Sequence, residues 1–207
     1  QTWDDHDRSG RYTARDFGMN YLSSLEPNAI VFTNGDNDTF PLWYAQEVEG
    51  YRTDVRVVNL SYLTTDWYVD QMRVPSYEAP AIKMLATPDV YAHDKRQFSY
   101  FLNPDTTKVN VTAALKALYS PDANKNEWGL YEFKYPNMYL PVDKDAVVKS
   151  GRVSAEEAAA VEEYIDLNQS DEPEGGLRLS NVIALDMLAT NAANGWERPI
   201  YFAMTVP

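Results

Sequence analysis

A succession of helix, short turn and buried strand occurs three times along the chain of 207 residues. The three copies run from 12 to 33, from 41 to 60 and from 181 to 206. In the first copy, five apolar residues at helical spacing precede the apolar run Ala29 to Phe32. Parallel strands require a crossover, which is usually a helix. We therefore predict an α/β fold with a layered, mostly parallel sheet flanked by helices.

Glycines mark the turns of the second and third copies. Gly50 and Gly195 each precede the first residue of the predicted strand by five positions. A glycine after a helix favours the left-handed backbone conformation that ends helices. We therefore predict that these helices end close to the two glycines.

The middle of the chain is less regular. Residues 110–119 predict a short helix closed by Pro121, whereas 128–141 are rich in aromatic residues and prolines. We predict one α/β domain over 1–207, with 77–140 as an insertion and 128–141 as its irregular or β-ribbon part.

Acidic residues are concentrated between Ser154 and Glu174, where there are eight acids and no Lys or Arg. Ser154 and Glu157 form an S-x-x-E capping box, which predicts a surface helix through about Leu167. We predict a loop over 169–176. A solvated face is the simpler interpretation of this charge, and a docking site for a basic partner is the alternative.

Charge and composition narrow the classes of partner. The chain has 18 basic and 31 acidic residues, a net charge of −13, and no cysteine. Such a field repels nucleic acid and anionic membrane surfaces, so we expect no nucleic-acid partner and no anionic membrane surface as the main partner. No apolar run approaches the roughly 18 residues of a membrane helix. Gln1 and the apolar run before Pro207 suggest an excerpt from a longer protein.

The stretch from Thr33 to Pro41 is the strongest candidate site, because it lies between a predicted strand and a predicted helix beginning near Pro41. Ligands bind at the carboxyl ends of parallel strands. Two carboxylates two residues apart suit a hard cation, although an ordinary turn with Asp38 or Thr39 as helix N-cap explains the same residues. The candidate ligand-binding residues are Asn34, Asp36, Asn37 and Asp38, with Asp36 and Asp38 as weak metal candidates.

Three further candidates lie elsewhere in the chain. If the first two strands are parallel neighbours, Asp66 and Trp67 follow the second strand at the same edge as the aspartates. Carboxylates beside aromatic faces suit a sugar or a cation, although Asp66 as the N-cap of a helix over 67–72 is simpler. Arg198, before the last strand, suits either an anion or a structural ion pair.

Several familiar site motifs are absent or altered. A haloacid-dehalogenase-type D-x-D-x-T motif fails because Phe40 stands where its threonine belongs. Phosphate-loop and G-x-S-x-G motifs do not occur, and the run from Asp122 lacks the glycine of an EF-hand. The acids around His6 resemble metal ligands but have no second cluster to complete them. The residues therefore assemble no complete catalytic set.

Five ordered blocks carry a family resemblance. They are Asp4–Tyr12, Asn34–Tyr44, Thr53–Ser61, Thr65–Tyr68 and Trp196–Tyr201. They resemble the extracytoplasmic region of a family of large bacterial multipass membrane proteins that is similar to protein O-mannosyltransferases, of the C-type glycosyltransferase class. The stretch 77–140 matches this family poorly.

The resemblance implies a periplasmic domain tethered to the inner membrane by the membrane part of the same polypeptide, where the catalytic acid or base would lie. We accordingly expect a non-catalytic accessory domain, or one that recognises a glycan or protein acceptor. We expect no cofactor, while a divalent cation stays open. The alternatives are a self-sufficient metal-dependent hydrolase or sugar-binding enzyme using Asp36, Asp38 and Asp66, and a protein-interaction module.

Overall fold

The structure is a computed structural model that describes residues 7, 10–93, 95–121, 125–151 and 153–206. The residues around His6 and the start of the run at Asp122 lie outside the described residues. Over the described residues the chain forms α-helices, strands and two short 3₁₀ helices, Leu60–Thr64 and Glu157–Ala160. The predicted α/β class is confirmed.

The α-helices are Thr13–Ser23 (α1), Asp36–Glu47 (α2), Asp66–Met72 (α3), Pro88–Tyr91 (α4), Val111–Tyr119 (α5), Lys144–Lys149 (α6) and Leu179–Ala193 (α7). The strands are Ile30–Thr33 (β1), Arg56–Asn59 (β2), Phe98–Tyr100 (β3), Val109–Asn110 (β4), Tyr131–Glu132 (β5), Asn137–Pro141 (β6), Tyr164–Asn168 (β7), Gly176–Arg178 (β8) and Ile200–Phe202 (β9).

The chain divides into two compact units. The first consists of residues 1–59, 75–80 and 199–207, and the second of residues 60–74 and 81–198. The predictions of a single domain over 1–207 and of an insertion over 77–140 stay predictions.

The sheet of the first unit has the order β2-β1-β9, and both strand pairs are parallel. Ile30 lies opposite Arg56 on one side and Ile200 on the other, while Thr33 lies opposite Asn59. All four residues of β1 and of β2 are buried. Burial on both faces explains why these strands appear in the sequence as continuous runs rather than as alternating apolar and polar residues.

Helices α1 and α2 approach each other closely in the first unit. A Cβ atom on Gly18 of α1 would lie 2.1 Å from the carbonyl oxygen of Pro41 in α2. No larger residue fits there without moving a helix. Leu22 and Leu42 are fully buried in the core of this unit beside Val31.

Arg52 fixes the chain that follows α1. Its guanidinium donates to the carbonyl oxygens of Leu22, Leu25 and Glu26 at 2.8–2.9 Å. It also pairs with Asp54, which accepts at 2.8 Å from Nε. The hydrogen bonds from Arg52 lower the pKa of Asp54 below its ordinary range, despite the opposing effect of burial. One side chain thus satisfies carbonyl groups at the end of a helix.

The second unit contains two sheets, with the strand orders β5-β3-β8 and β4-β6-β7. Each combines one parallel and one antiparallel pair. Their apolar residues pack with α5 and α7 around Leu115, Met138, Leu177 and Val182. The predicted helix over 110–119 is confirmed by α5, and the aromatic-rich stretch 128–141 contains the short strands β5 and β6.

The predicted surface helix from Ser154 to about Leu167 is wrong. Ser154 and Glu157 do form the reciprocal capping box, with the Glu157 carboxylate 3.0 Å from the Ser154 nitrogen. Only a turn of 3₁₀ helix follows, and Tyr164–Asn168 is the strand β7, antiparallel to β6. Pairing with a distant strand therefore overrides the local helix signal.

Two predicted element boundaries are also corrected. The second helix begins at Asp36, five residues before Pro41, and the last strand ends at Phe202 rather than Val206. The left-handed backbone predicted at Gly50 is confirmed, with φ of 62°. Among the helices of the described chain, none has the length and apolar character that crossing a bilayer requires.

Candidate functional site

The candidate site lies where β1 leads into α2, at the carboxyl edge of the parallel sheet. After Thr33 the chain turns through Asn34 and Gly35, and α2 starts at Asp36. Gly35 has φ of 93°, in the region that only glycine adopts without strain. The predicted site residues of this stretch are thus held on a tight connection and the first turn of a helix.

The aspartates of the first turn have different environments. Asp36 and Asn37 are exposed, whereas Asp38 is only 5% exposed. Oδ2 of Asp38 accepts from the backbone N–H of Asn34, at 3.2 Å, and from the hydroxyl of Thr205. The Asn34 amide also donates to the carbonyl of Thr205, at 3.3 Å. Asp38 therefore joins the turn after β1 to the segment after β9.

Beneath Asp38 lies a buried chain of polar side chains. The hydroxyl of Thr39 donates to the carbonyl of Gly35, at 2.5 Å. It therefore accepts from the hydroxyl of Thr33, at 2.8 Å, and from the amide of Asn59, at 3.1 Å. Thr33, Thr39 and Asn59 are fully buried. These bonds fasten the ends of β1 and β2 to the first turn of α2.

One acceptor of this network is left over. Oδ1 of Asp38 is buried and has no hydrogen-bond partner in the described part of the protein. A buried carboxylate oxygen without a donor calls for a water molecule, an ion or a ligand group. No group of three or more His, Asp or Glu residues able to hold a metal ion occurs among the described residues. A cation here would have two aspartates at most and would depend on backbone oxygen and water for its other ligands.

The aspartates also occupy the position that an anion would take. Helix α2 has 12 residues, and its first turn contains both Asp36 and Asp38. Negative side chains there compensate the positive end of the helix dipole. The N-terminus of α2 is therefore already neutralised by the chain itself, and the edge favours neutral or cationic groups over a phosphate.

Asp66 and Trp67 belong to the second unit. Asp66 is the first residue of α3, and Thr65 is the N-cap residue, so the prediction of Asp66 as N-cap is wrong by one position. Its Oδ1 accepts from the backbone N–H of Trp67 at 2.8 Å. Trp67 is 54% exposed, and its ring lies 5.5 Å from that of Tyr68.

Arg198 also belongs to the second unit and is 7% exposed. Its backbone N–H donates to Oδ1 of Asn191, at 3.1 Å, and its carbonyl accepts from Nδ2 of Asn191, at 2.8 Å. Asn191 thus holds the backbone of the turn after α7. The sequence-predicted residues are divided between the units, with Asn34, Asp36, Asn37 and Asp38 in the first and Asp66, Trp67 and Arg198 in the second.

Four residues of the network were not predicted from the sequence: Thr33, Thr39 as a hydrogen-bond partner, Asn59 and Thr205. A signal was available for two of them. Thr33 and Asn59 are polar residues that end apolar strands, directly opposite each other in the register. Polar side chains at the carboxyl ends of adjacent parallel strands are characteristic of binding edges. Thr205 lies three residues beyond β9 and carries no such signal.

Helix α2 is apolar on two sides. Leu42 and Ala45 are fully buried, while Phe40, Tyr44 and Val48 are 46%, 43% and 64% exposed. The last three are spaced by four residues and lie on one side of the helix, with Val48 as the residue directly after α2. Neighbouring exposed apolar side chains are typical of a surface that another molecule covers. We call Phe40, Tyr44 and Val48 the exposed face of α2.

The second unit contains an open cavity of about 640 Å³ beside α5 and α7. Its lining includes Ala113, Lys116, Ala189 and Asp143. The Asp143 carboxylate accepts from the N–H of Ala146 and caps α6. Lys116 and Asp143 are the ionisable side chains of this lining.

The fold is that of an α/β protein. Its candidate site, at the carboxyl edge of the parallel sheet, consists mainly of polar side chains that hold structural elements together. The model of the family described as TMEM260-associated domain 2 matches residues 14–207, which is most of the chain and includes its middle. The chain therefore belongs to the TMEM260-associated domain 2 family. The name of the family associates it with a membrane protein. Comparison with solved structures gave no significant match.

Proposed function

We propose that this chain is a non-catalytic domain that recognises the acceptor in a glycosyltransferase-like membrane protein. In this proposal the membrane part belongs to the same polypeptide and the domain lies on its extracytoplasmic, periplasmic face. The family match and the resemblance to protein O-mannosyltransferases support this context. Sugar transfer itself would take place in the membrane part.

The exposed face of α2 is the observation that carries a recognition role. Phe40 and Tyr44 present aromatic rings to solvent, and Phe40 stacks on Trp43 with ring centroids 5.8 Å apart. Such rings are rigid and bind either sugar faces or apolar side chains of a polypeptide. The carboxyl edge of the sheet is less suited to chemistry, because the described contacts of Asp38 and Thr39 hold elements together.

The test uses the full-length membrane protein, purified in detergent and assayed for sugar transfer from polyprenyl-phosphate sugars. Truncation of a central interface aromatic costs more than about 1 kcal/mol, so Phe40→Ala with Tyr44→Ala should reduce transfer about tenfold or more. Trp128→Ala is the matched control, because Trp128 is 74% exposed in the second unit. Unchanged transfer to every acceptor after deletion of the whole region would refute the recognition role.

A second candidate function rests on Oδ1 of Asp38. Its lack of a partner favours a divalent cation at Asp36 and Asp38, as in a metal-dependent hydrolase or sugar-binding enzyme. Calorimetric titration with Mg²⁺, Ca²⁺ and Mn²⁺ tests it. Saturable binding that Asp38→Asn abolishes, and that Asp16→Asn in α1 leaves intact, would establish the cation site in place of the accessory role.

A further inference from the structure

Two cationic side chains of the second unit lie against the ring of Tyr131. The guanidinium carbon of Arg96 lies 4.2 Å from the centroid of the Tyr131 ring, and Nζ of Lys125 lies 4.5 Å from it. The positive charge of Lys95 also acts on the phenol. We call Lys95, Arg96, Lys125 and Tyr131 the Tyr131 cluster.

Arg96 is the buried member of the cluster, at 8% exposure. Its Nη1 donates to the carbonyls of Asp89, at 3.2 Å, and Val90, at 3.4 Å. Its Nε is buried without a hydrogen-bond partner, and no described carboxylate lies within ion-pair distance of it. Burying a charge is costly unless an opposite charge and hydrogen bonds compensate it. The guanidinium therefore has a buried donor for which the described part of the protein supplies no acceptor and no opposite charge.

The cluster is unusual for an acidic protein with a net charge of −13. Five other basic side chains of the described residues pair with carboxylates: Arg15 with Asp16, Arg52 with Asp54, Lys83 with Glu197, Lys108 with Asp166 and Arg178 with Glu174. Arg96 and Lys125 of the Tyr131 cluster contact an aromatic ring instead. No carboxylate of the described residues lies within ion-pair distance of the three basic side chains of the cluster.

The electrostatic effect extends to the phenol. Partial burial acts to raise the pKa of Tyr131, but Lys125, Arg96 and Lys95 together hold it below the ordinary value. Positive charges that stabilise a phenolate also stabilise any anion that lies beside the ring. The phenol hydroxyl adds a hydrogen-bond donor next to the three cations.

The backbone holds the cluster in place. Lys125 and Tyr131 lie opposite each other in an antiparallel β-bridge. The turn between them is closed by Asn126, whose Oδ1 accepts from the N–H groups of Trp128, at 3.0 Å, and Leu130, at 2.8 Å. On the other side, Tyr131 begins β5 and pairs with Ser99 of β3, shortly after Arg96. The cationic groups are therefore presented by a hairpin and a strand edge, not by a free terminus.

We propose that the Tyr131 cluster binds a phosphate group. Three positive charges match a phosphate monoester, which carries about −1.5 to −2 at neutral pH, better than a carboxylate with a single charge. Arginine and lysine are the side chains that bind phosphate in proteins, through charge-assisted hydrogen bonds. This site lies apart from α2 and does not depend on the acceptor role proposed above.

The test is isothermal titration of the 207-residue chain with inorganic phosphate at neutral pH and low salt. We expect saturable binding that weakens as NaCl is raised, because charge drives it. Lys95→Gln and Lys125→Gln should each weaken it about fivefold or more, since each removes a charged donor. Both lysines are exposed, so neither change threatens folding. Lys149→Gln, an exposed lysine of α6, is the matched control.

The same chain with vesicles of phosphatidylcholine, with and without phosphatidic acid, separates the sources of the phosphate. Co-sedimentation only with phosphatidic acid, lost in Lys95→Gln with Lys125→Gln, would assign a lipid headgroup. Binding of inorganic phosphate alone would assign a free phosphate compound. Heats that are equal in the wild type, the double variant and Lys149→Gln, together with no vesicle binding, would overturn the proposal. So would acetate binding as tightly as phosphate.

Discussion

Asp186 makes four polar contacts in the second unit. Its carboxylate is fully buried in α7. Oδ1 accepts from the N–H of Leu85, at 2.8 Å, and the hydroxyl of Thr190, at 3.0 Å. Oδ2 accepts from the N–H of Ala86, at 2.7 Å, and the hydroxyl of Tyr119, at 3.1 Å. One side chain thus joins α7, α5 and the segment before α4.

We predict that Asp186→Asn destabilises the protein. Whichever way the amide is placed, its nitrogen faces two of the four donors, and the loss of a buried acceptor costs about 1–3 kcal/mol. Urea denaturation followed by circular dichroism measures the free energy of unfolding. Asp171→Asn, in an exposed loop, is the control and should change little. Equal stability of the two variants would show that the four contacts are energetically neutral.

The difference in stability between the wild type and Asp186→Asn should also depend on pH. Burial raises the pKa of Asp186 above its ordinary value of 3.8, against the opposing effect of the four hydrogen bonds. Because the folded state then binds the proton more tightly than the unfolded state, this contribution to stability is complete below the ordinary pKa. It declines as the pH rises towards the folded pKa. The stability advantage of the wild type over Asp186→Asn should therefore shrink, not grow, above about pH 4.

At the scale of elements, the sequence predicts what depends on local pattern and misses what depends on distant partners. The strands at 30–33 and 56–59 and the helix α5 follow from apolar runs and helical periodicity. The predicted beginning of α2 near Pro41 is wrong. Proline favours the first turn of helices, but here it lies inside one. The strand β7 could not be predicted, since it depends on pairing with β6.

The candidate site, too, could be predicted from the sequence only in part. Its place at the end of β1 follows from topology alone, although Asp36 and Asn37 belong to the first turn of α2 and not to the connection before it. The role of Asp38 depends on Thr205, which is 167 residues away in sequence and approaches only when β9 joins the sheet. A pattern of residue spacing within one segment could not predict that contact.

Gly18→Ala tests the packing of α1 on α2. The added Cβ would lie 2.1 Å from the Pro41 carbonyl oxygen, which belongs to backbone and cannot rotate away. Alanine favours helices by about 1 kcal/mol over glycine, yet overpacking of this kind costs about 1–3 kcal/mol. We expect a net decrease in the free energy of unfolding, measured by urea denaturation. Gly10→Ala, whose Cβ meets no atom within 4 Å, is the control, and an equally stable Gly18→Ala would contradict the close approach.

For the whole molecule, the important property is the distribution of its charge of −13. Of the eight acids between Ser154 and Glu174, Asp166 pairs with Lys108, Glu174 pairs with Arg178, and Glu157 bonds to Ser154. Each contact lowers the pKa of its acid. The remaining five have no side-chain partner in the described structure: Glu156, Glu162, Glu163, Asp171 and Glu172. The segment is thus partly a set of structural pairs and partly unneutralised charge.

This division predicts opposite effects of neutralising the two kinds of acid. Unpaired like charges repel one another in the folded protein, and salt screens that repulsion over a Debye length of about 10 Å at 0.1 M. Glu162→Gln, Glu163→Gln and Asp171→Asn together should raise the melting temperature at low salt and flatten its rise with NaCl. Asp166→Asn with Glu174→Gln removes attractive pairs and should lower the melting temperature at low salt. Thermal unfolding at several NaCl concentrations measures both, and the same sign of change in the two variants would contradict the division of the segment into paired and unpaired acids.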